Sequence, residues 1–454
     1  MDFFPALGGE EMFVSLFGDK SRGAVTMTIH VVRPGETVYS IAAMYGVSAR
    51  DVIQYNELDE PNRLVPGQTI VILFPRRVHI VEAGDTVYSI TQQYGITINE
   101  LYRNNTKLGA LPVLRPGDRL VISYEQQRLG DMSVNGYAYP FVDRTLFRQT
   151  MPFMTYMTPF TYGFTFNGDL VPLDDEALID IALQYGVAPL MHLSTLTEEG
   201  GFSNELAHRA LNDIQVQNRL LDNILINLRQ KNYKGLDVDF EFIYVEDRDK
   251  YTAFIRNATQ KLNPEGYEVI VALAPKTSSD QPGLLYQGHD YGGLGAAANG
   301  VLLMTYEWGY TYGPPMAVAP IPNIRAVLNY AVTQIARNKI YMGMPNYGYD
   351  WPLPYVRGTT RAQSISNVEA VRLAREYNAE ILYDETAQSP HFQYTNTSGE
   401  LHEVWFEDAR SIRAKLALVT EFAFLGIGYW NLMRPFPQNW LVLNALYRIR
   451  AFQG

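Results

Sequence analysis

The segment Asp237-Val238-Asp239-Phe240-Glu241-Phe242-Ile243 constrains the fold most, because it is an apolar strand with a carboxylate at every second position. Side chains on a strand alternate between faces, so Asp237, Asp239 and Glu241 share one face while Leu236, Val238, Phe240 and Phe242 share the other. An edge strand would turn the acidic face to water. Helix-like stretches lie before it (Asn204 to Asn232) and after it (Glu246 to Leu262), which predicts a central strand covered by helices, with no solvated face. Carboxylates gathered inside a fold raise one another's pKa, and that keeps an acid protonated near neutral pH.

The rest of the chain supplies the setting. From Met132 onward strands alternate with helices, with candidate strands at Ser133 to Tyr139, Thr161 to Phe166, Ala188 to Leu193, Leu236 to Ile243, Glu268 to Ala274, Gly300 to Tyr306, Lys339 to Met344 and Gly426 to Trp430. Eight such units predict an α/β fold, a (β/α)8 barrel over residues 132–454, in which reactive groups sit at the C-terminal ends of the strands. Residues of about 352–408 form an insertion after the seventh strand, with a β-hairpin at Tyr383 to Phe406 placed to wall a cleft. A polar bridge, Glu125 to Asp131, separates this barrel from what precedes it.

Before the bridge lies an internal repeat. Gly35-Glu36-Thr37-Val38-Tyr39-Ser40-Ile41 recurs 49 positions later as Gly84-Asp85-Thr86-Val87-Tyr88-Ser89-Ile90, Asn56 matches Asn105, and Pro66-Gly67-Gln68 matches Pro116-Gly117-Asp118 after one inserted residue. Each copy, 28–74 and 78–124, reads as a small βααβ unit in which Thr37 and Thr86 cap the first helices. The polar bridge predicts that the repeats are separable from the barrel. Residues 1–27 read as an extension; they lack the basic start and apolar run of a signal peptide.

Composition excludes several classes of function. A net charge of −11 with no cationic cluster argues against a nucleic-acid partner. There is no Cys, and the seven His residues include no HxxxH pair, so no metal site and no cofactor are expected. No apolar stretch approaches the roughly 20 residues that span a bilayer, so no membrane insertion is expected.

The repeats resemble LysM modules, which bind glycans containing N-acetylglucosamine, such as peptidoglycan and chitin. That resemblance implies sugar contacts at Glu36, Thr37, Val38 and Asn56, and at Asp85, Thr86, Val87 and Asn105; turn and cap chemistry alone would select the same residue types. Lys234-Gly235-Leu236-Asp237-Val238-Asp239-Phe240-Glu241 in turn resembles the DGxDxDxE signature of glycoside hydrolase family 18. Met304-Thr305-Tyr306-Glu307, Met344-Pro345-Asn346-Tyr347-Gly348 and Gly426-Ile427-Gly428-Tyr429-Trp430 match that family in order. Two positions depart: Lys234 replaces an Asp at the far end of the strand, and Glu307 stands where many chitinases carry Asp.

The resemblance implies Glu241 as the acid that protonates the leaving oxygen, with the substrate's own acetamido group as nucleophile. Asp239 would then orient the acetamide, Tyr306 would hydrogen-bond to its carbonyl oxygen, and Asp237 would tune Asp239. Trp430 and Met304 would shape an apolar floor, and Glu307, Tyr347 and Asn346 would contact the sugar. For Trp430 and Met304 plain barrel core is the alternative. Within the family the likeness runs to spore cortex-lytic and spore-coat glycosylases, which implies synthesis in the mother cell and deposition on the spore. A chitinase and a catalytically inactive glycan-binding coat protein are the alternatives.

Overall fold

The computed structural model describes residues 27–125, 127–197 and 199–452. The extension lies outside them except for Met27, which begins the first strand of the first repeat.

Eight parallel strands form the barrel: Gly130–Ala138, Tyr156–Pro159, Ala188–Ser194, Gly235–Asp239, Glu268–Leu273, Gly300–Leu303, Ile340–Pro345 and Gly426–Trp430. The eighth closes on the first, with Gly426 to Tyr429 in register with Ser133 to Gly136. The second strand is not the expected one. Tyr156–Pro159 joins the barrel, whereas Gly163–Phe164, inside the Thr161 to Phe166 candidate, pairs antiparallel with Leu170–Val171 at the rim. Pro159 reads as a strand breaker in sequence but stands here at the strand's last position, where its missing N–H matters least.

The fourth strand pairs with the third as far as Asp239 and with the fifth as far as Val238. The third strand ends at Ser194 and the fifth at Leu273, so Glu241 stands past the ladder at the barrel mouth. Leu236, Val238 and Phe240 face the helices and are fully buried, and the Phe240 ring stacks on Tyr251 and Phe254 with centroids 5.6 Å apart in both cases. Burying such a ring contributes about 2 kcal/mol. Inside the barrel Leu190, Ile270, Ala272 and Leu302 pack among the rings of Tyr137, Tyr156 and Tyr341. The single long helix expected at Asn204 to Asn232 is two, Asn204–Asn212 and Ile214–Gln230, because Asp213 leaves helical geometry and caps the second through Gln215 and Val216.

After the seventh strand the chain builds more than a hairpin. Gly348–Pro352, Gln363–Ile365, Leu382–Asp384, Ser389–Thr395 and Leu401–Trp405 form one antiparallel sheet, covered by the helix Asn367–Glu376. Each repeat is a strand pair with helices between: Met27–Val31 with Thr69–Leu73, and Pro75–Ile80 with Arg119–Tyr124. A short third helix, Thr106–Ala110, is peculiar to the second copy.

The expected separability of the repeats is overturned. Val38, Ile41, Ile70 and Leu73 of the first repeat belong to the same continuous apolar core as the barrel. Thr69 hydrogen-bonds to Gln438, and Arg103 of the second repeat donates to the Pro152 carbonyl at 2.7 Å. A polar connecting segment reveals nothing about whether the flanking units later dock. Among the described residues no helix is long and apolar enough to cross a membrane.

Candidate active site

The three carboxylates rise along one strand toward the mouth. Asp237 is deepest and fully buried; its Oδ2 accepts from the Tyr137 hydroxyl at 2.5 Å, and among the described residues its Oδ1 has no partner. Burial raises its pKa, opposed by His192 and by the Tyr137 hydrogen bond. Asp239, two residues on, is also raised by burial. Its Oδ2 lies 3.6 Å from His192 Nε2, too far for a hydrogen bond, and burial drops the His192 pKa to about 4, so that ring is neutral and offers no counter-charge. Glu241 is pushed up to about 8, first by burial and then by the charges of Asp239 and Glu307. At neutral pH the pair therefore holds a proton at the mouth.

Tyr306 reaches this cluster from the end of the sixth strand. That strand stops at Leu303, short of the expected Tyr306, because Thr305 and Tyr306 turn their N–H groups back onto the carbonyls of Leu303 and Met304. The Tyr306 ring is nearly buried, and Gly343 leaves it room: a Cβ there would come within 2.6 Å of the ring. Burial and the surrounding carboxylates hold its pKa far above the ordinary value, so it stays a donor. Glu307 adopts φ +65°, a left-handed conformation uncommon for a side-chain-bearing residue. Its carboxylate accepts from the hydroxyls of Tyr347 and Tyr349, the latter at 3.1 and 3.2 Å, and burial raises its pKa despite them.

A cleft of about 250 Å³ opens beside Glu307, lined by Tyr139, Phe141, Glu307, Tyr349, Trp430 and Arg434. Trp430 is half-buried, packed against Phe160 at 4.9 Å and Tyr137 at 5.8 Å between ring centroids, with its remaining surface in the cleft. Phe141, 77% exposed, stacks on Tyr139 and extends the aromatic wall outward. Met304 is half-buried between the inner and outer layers of the core. Tyr349, on the strand Gly348–Pro352, and Ser364 of the insertion line the cleft, whereas among the described residues none of the hairpin expected to wall it, Tyr383 to Phe406, does.

Other candidates lie apart from the cleft or turn away from ligand. Asn346 is buried, and its amide donates to the carbonyls of Asn431 and Arg434, tying the loops after the seventh and eighth strands. Asn56 and Asn105 do the same inside their repeats, each bridging a helix end to the second strand. Glu36 accepts from Arg33 N–H and pairs with His30 at 2.8 Å; Asp85 accepts from Glu82 N–H and pairs with His79 at 2.8 Å. Thr37 and Thr86 cap their helices in reciprocal capping boxes. Val38 is fully buried, while Val87 is only partly so. In these residues the side chains build turns, caps and cross-links within each repeat.

Sequence reading missed three residues that shape the site. Tyr137 and His192 lie on the first and third strands; their alternation with neighbouring apolar residues carried the inward signal. His289 was counted only as a scattered histidine. Its Nδ1 accepts from Ala274 N–H at 3.0 Å, so the proton sits on Nε2, which donates to the Phe240 carbonyl at 3.0 Å and steadies the peptide just before Glu241. No local pattern announces a contact made 49 residues away.

Comparison with known proteins gives the same picture. Residues 191–434 match the glycosyl hydrolases of family 18, and residues 30–73 and 79–123 each match the LysM domain. A cortical fragment-lytic enzyme of Bacillus subtilis (strain 168) is 41% identical over 93% of this chain and 99% of its own length. The crystal structure of the spore cortex-lytic enzyme SleL of Bacillus megaterium QM B1551 superposes with a TM-score of 0.80 at 38% identity, covering 94% of this chain and 99% of that one. A chitinase from Chromobacterium violaceum shares the fold at 24% identity, with a TM-score of 0.65 over 69% of this chain and 98% of its own. The chain thus belongs to the glycosyl hydrolases of family 18, a glycoside hydrolase whose barrel follows two LysM domains.

Proposed function

We propose that this enzyme cleaves spore cortex peptidoglycan, or the fragments it releases, after N-acetylglucosamine, with the substrate acetamido group as nucleophile and configuration retained. The observation that carries the chemistry is the half-buried Asp239–Glu241 pair at the strand end, holding one proton and coupled through the charge of Glu307 to the aromatic cleft that Glu307 lines. Glu241 gives that proton to the leaving oxygen. The remaining charge on Asp239 orients the acetamide N–H and stabilises the positive oxazolinium, while Tyr306 donates to the attacking carbonyl oxygen. Glu307 is the other carboxylate near Glu241, and two tyrosine hydroxyls already occupy it; it suits a fixed acceptor for a sugar hydroxyl better than a nucleophile. Asp237, fixed by Tyr137, adjusts Asp239 from below. Trp430 provides the face on which the ring at the cleaved bond rests.

The choice of cortex over chitin is supported by whole-length likeness to cortex-lytic enzymes, whereas the chitinase shares only the barrel. Mass spectrometry of digests tests it. Cortex fragments should yield products ending in reducing N-acetylglucosamine faster than chitin oligomers are shortened; the reverse order would assign a chitinase.

A further inference from the structure

The two repeats fold alike down to individual hydrogen bonds. In the first, Val32 N–H donates to the Gln68 carbonyl at 2.9 Å and Gly67 N–H to Val32 at 2.8 Å; in the second, Val81 N–H donates to Asp118 at 2.9 Å and Gly117 N–H to Val81 at 2.8 Å. Each repeat thus sets the turn after its first strand beside the loop before its second.

The two edges meet different fates. In the first repeat a Cβ on Gly67 would sit 1.8 Å from the Ile381 carbonyl oxygen, and Ile381 N–H donates to the Pro66 carbonyl at 2.9 Å. Val65 is buried in the core of the inserted subdomain with Ala370, Ala374 and Phe392. Asp59 grips the Arg375 guanidinium with both oxygens at 2.9 Å. In the second repeat nothing lies within 4 Å of a Cβ built on Gly117, and Leu111 and Val113 of the same loop are 67% and 56% exposed. This repeat docks on the barrel through its helices instead: Asn99 donates to the Tyr185 carbonyl at 2.7 Å, and Tyr185 donates to Gly109. Its loop edge is left facing outward.

We infer that the repeats divide the work: the second holds the glycan through the open edge at Leu111, Val113 and Gly117, and the first is a brace that fixes the inserted subdomain against the barrel. This rests on the glycan-directed reading above. An N-acetylglucosamine ring offers an apolar face, which matches the exposed aliphatic side chains of Leu111 and Val113. The brace acts on the cleft through the sheet: the strand Gly348–Pro352 carries Tyr349, which lines the cleft and donates to Glu307. Another cleft lies beside the first repeat, between Pro34, Arg63 and Leu64 on one side and Asn378 and Glu380 on the other, and is the competing place for a sugar.

Three full-length variants decide between them by pelleting with insoluble peptidoglycan sacculi and by thermal unfolding. Leu111→Glu with Val113→Glu should weaken pelleting by about tenfold or more at an unchanged unfolding temperature. Arg63→Glu with Leu64→Glu should pellet like the wild type. Asp59→Ala should also pellet like the wild type, but unfold at lower temperature and show a raised KM on soluble cortex fragments with kcat little changed. Undiminished pelleting of the Leu111/Val113 variant, or an equal loss in the Arg63/Leu64 variant, overturns the division. Wild-type protein that cleaves soluble fragments but does not pellet contradicts glycan binding by the repeats, and wild-type protein that pellets but cleaves nothing contradicts the enzymatic reading alone.

Discussion

Glu241 carries the sharpest consequences at the scale of single residues. Its amide replacement, Glu241→Gln, keeps shape but has no transferable proton, so turnover on a glycan containing N-acetylglucosamine should fall by at least about 100-fold with glycan binding retained. The pH profile follows from the direction of the shift: Glu241 is raised from 4.5 to about 8, so kcat/KM should fall as pH rises through about 8 and the acid ionises. It should fall again on the acid side as Asp239 gains its own proton. The shift also opposes stability. The unfolded chain releases the Glu241 proton above 4.5 while the folded one retains it to about 8, so burial of this group destabilises increasingly across that range, and the unfolding temperature of Glu241→Gln should gain on the wild type as pH rises. Tyr306→Phe removes the hydroxyl proposed to donate to the reacting carbonyl and should lower kcat about 10- to 1000-fold. The shared face of Asp237, Asp239 and Glu241 was legible from strand alternation, whereas Tyr306 was singled out only by resemblance to the family motif. Tyr137, His192 and His289 were not legible, since they act through contacts between strands distant in sequence.

At the scale of elements, the inserted sheet and its supports determine the cleft wall. Behind that sheet Lys415 and Glu407 form a fully buried ion pair at 2.8 Å, and burial holds the Glu407 pKa up in spite of the lysine. Lys415→Met would strand the carboxylate without a partner, so chemical denaturation should show a loss of about 3–5 kcal/mol at neutral pH. The loss should shrink in acid as Glu407 protonates. The eightfold alternation of strands and helices was readable because each parallel strand is a short apolar run punctuated by a helix. The second strand was misplaced, since a terminal proline is indistinguishable in sequence from an internal breaker. The split at Asp213 was hidden because apolar periodicity continues on both sides of it. The insertion was visible as a hairpin but not as a five-stranded sheet, whose pairings join segments such as Gly348–Pro352 and Leu401–Trp405 across about 50 intervening residues.

For the molecule as a whole, the shared core changes what truncation should do. Removing residues 1–124 would expose the barrel surfaces now covered by Ile70, Leu73 and the Arg103 side chain, so the remaining barrel should unfold at lower temperature and aggregate more readily, as thermal scans with light scattering would show. The repeats were recognisable from their 49-residue offset, but their docking was not, because interfaces depend on surfaces that only exist once both partners are folded. In the proposed reaction a half-buried carboxylate pair and the substrate's own acetamide perform a retaining cleavage. Proton NMR of the first product formed from cortex fragments tests it most directly. A new reducing N-acetylglucosamine should appear first in the configuration of the bond cleaved and only later mutarotate; an initially inverted anomer would require a water activated by a base and would contradict the assignment of Asp239 and Glu241.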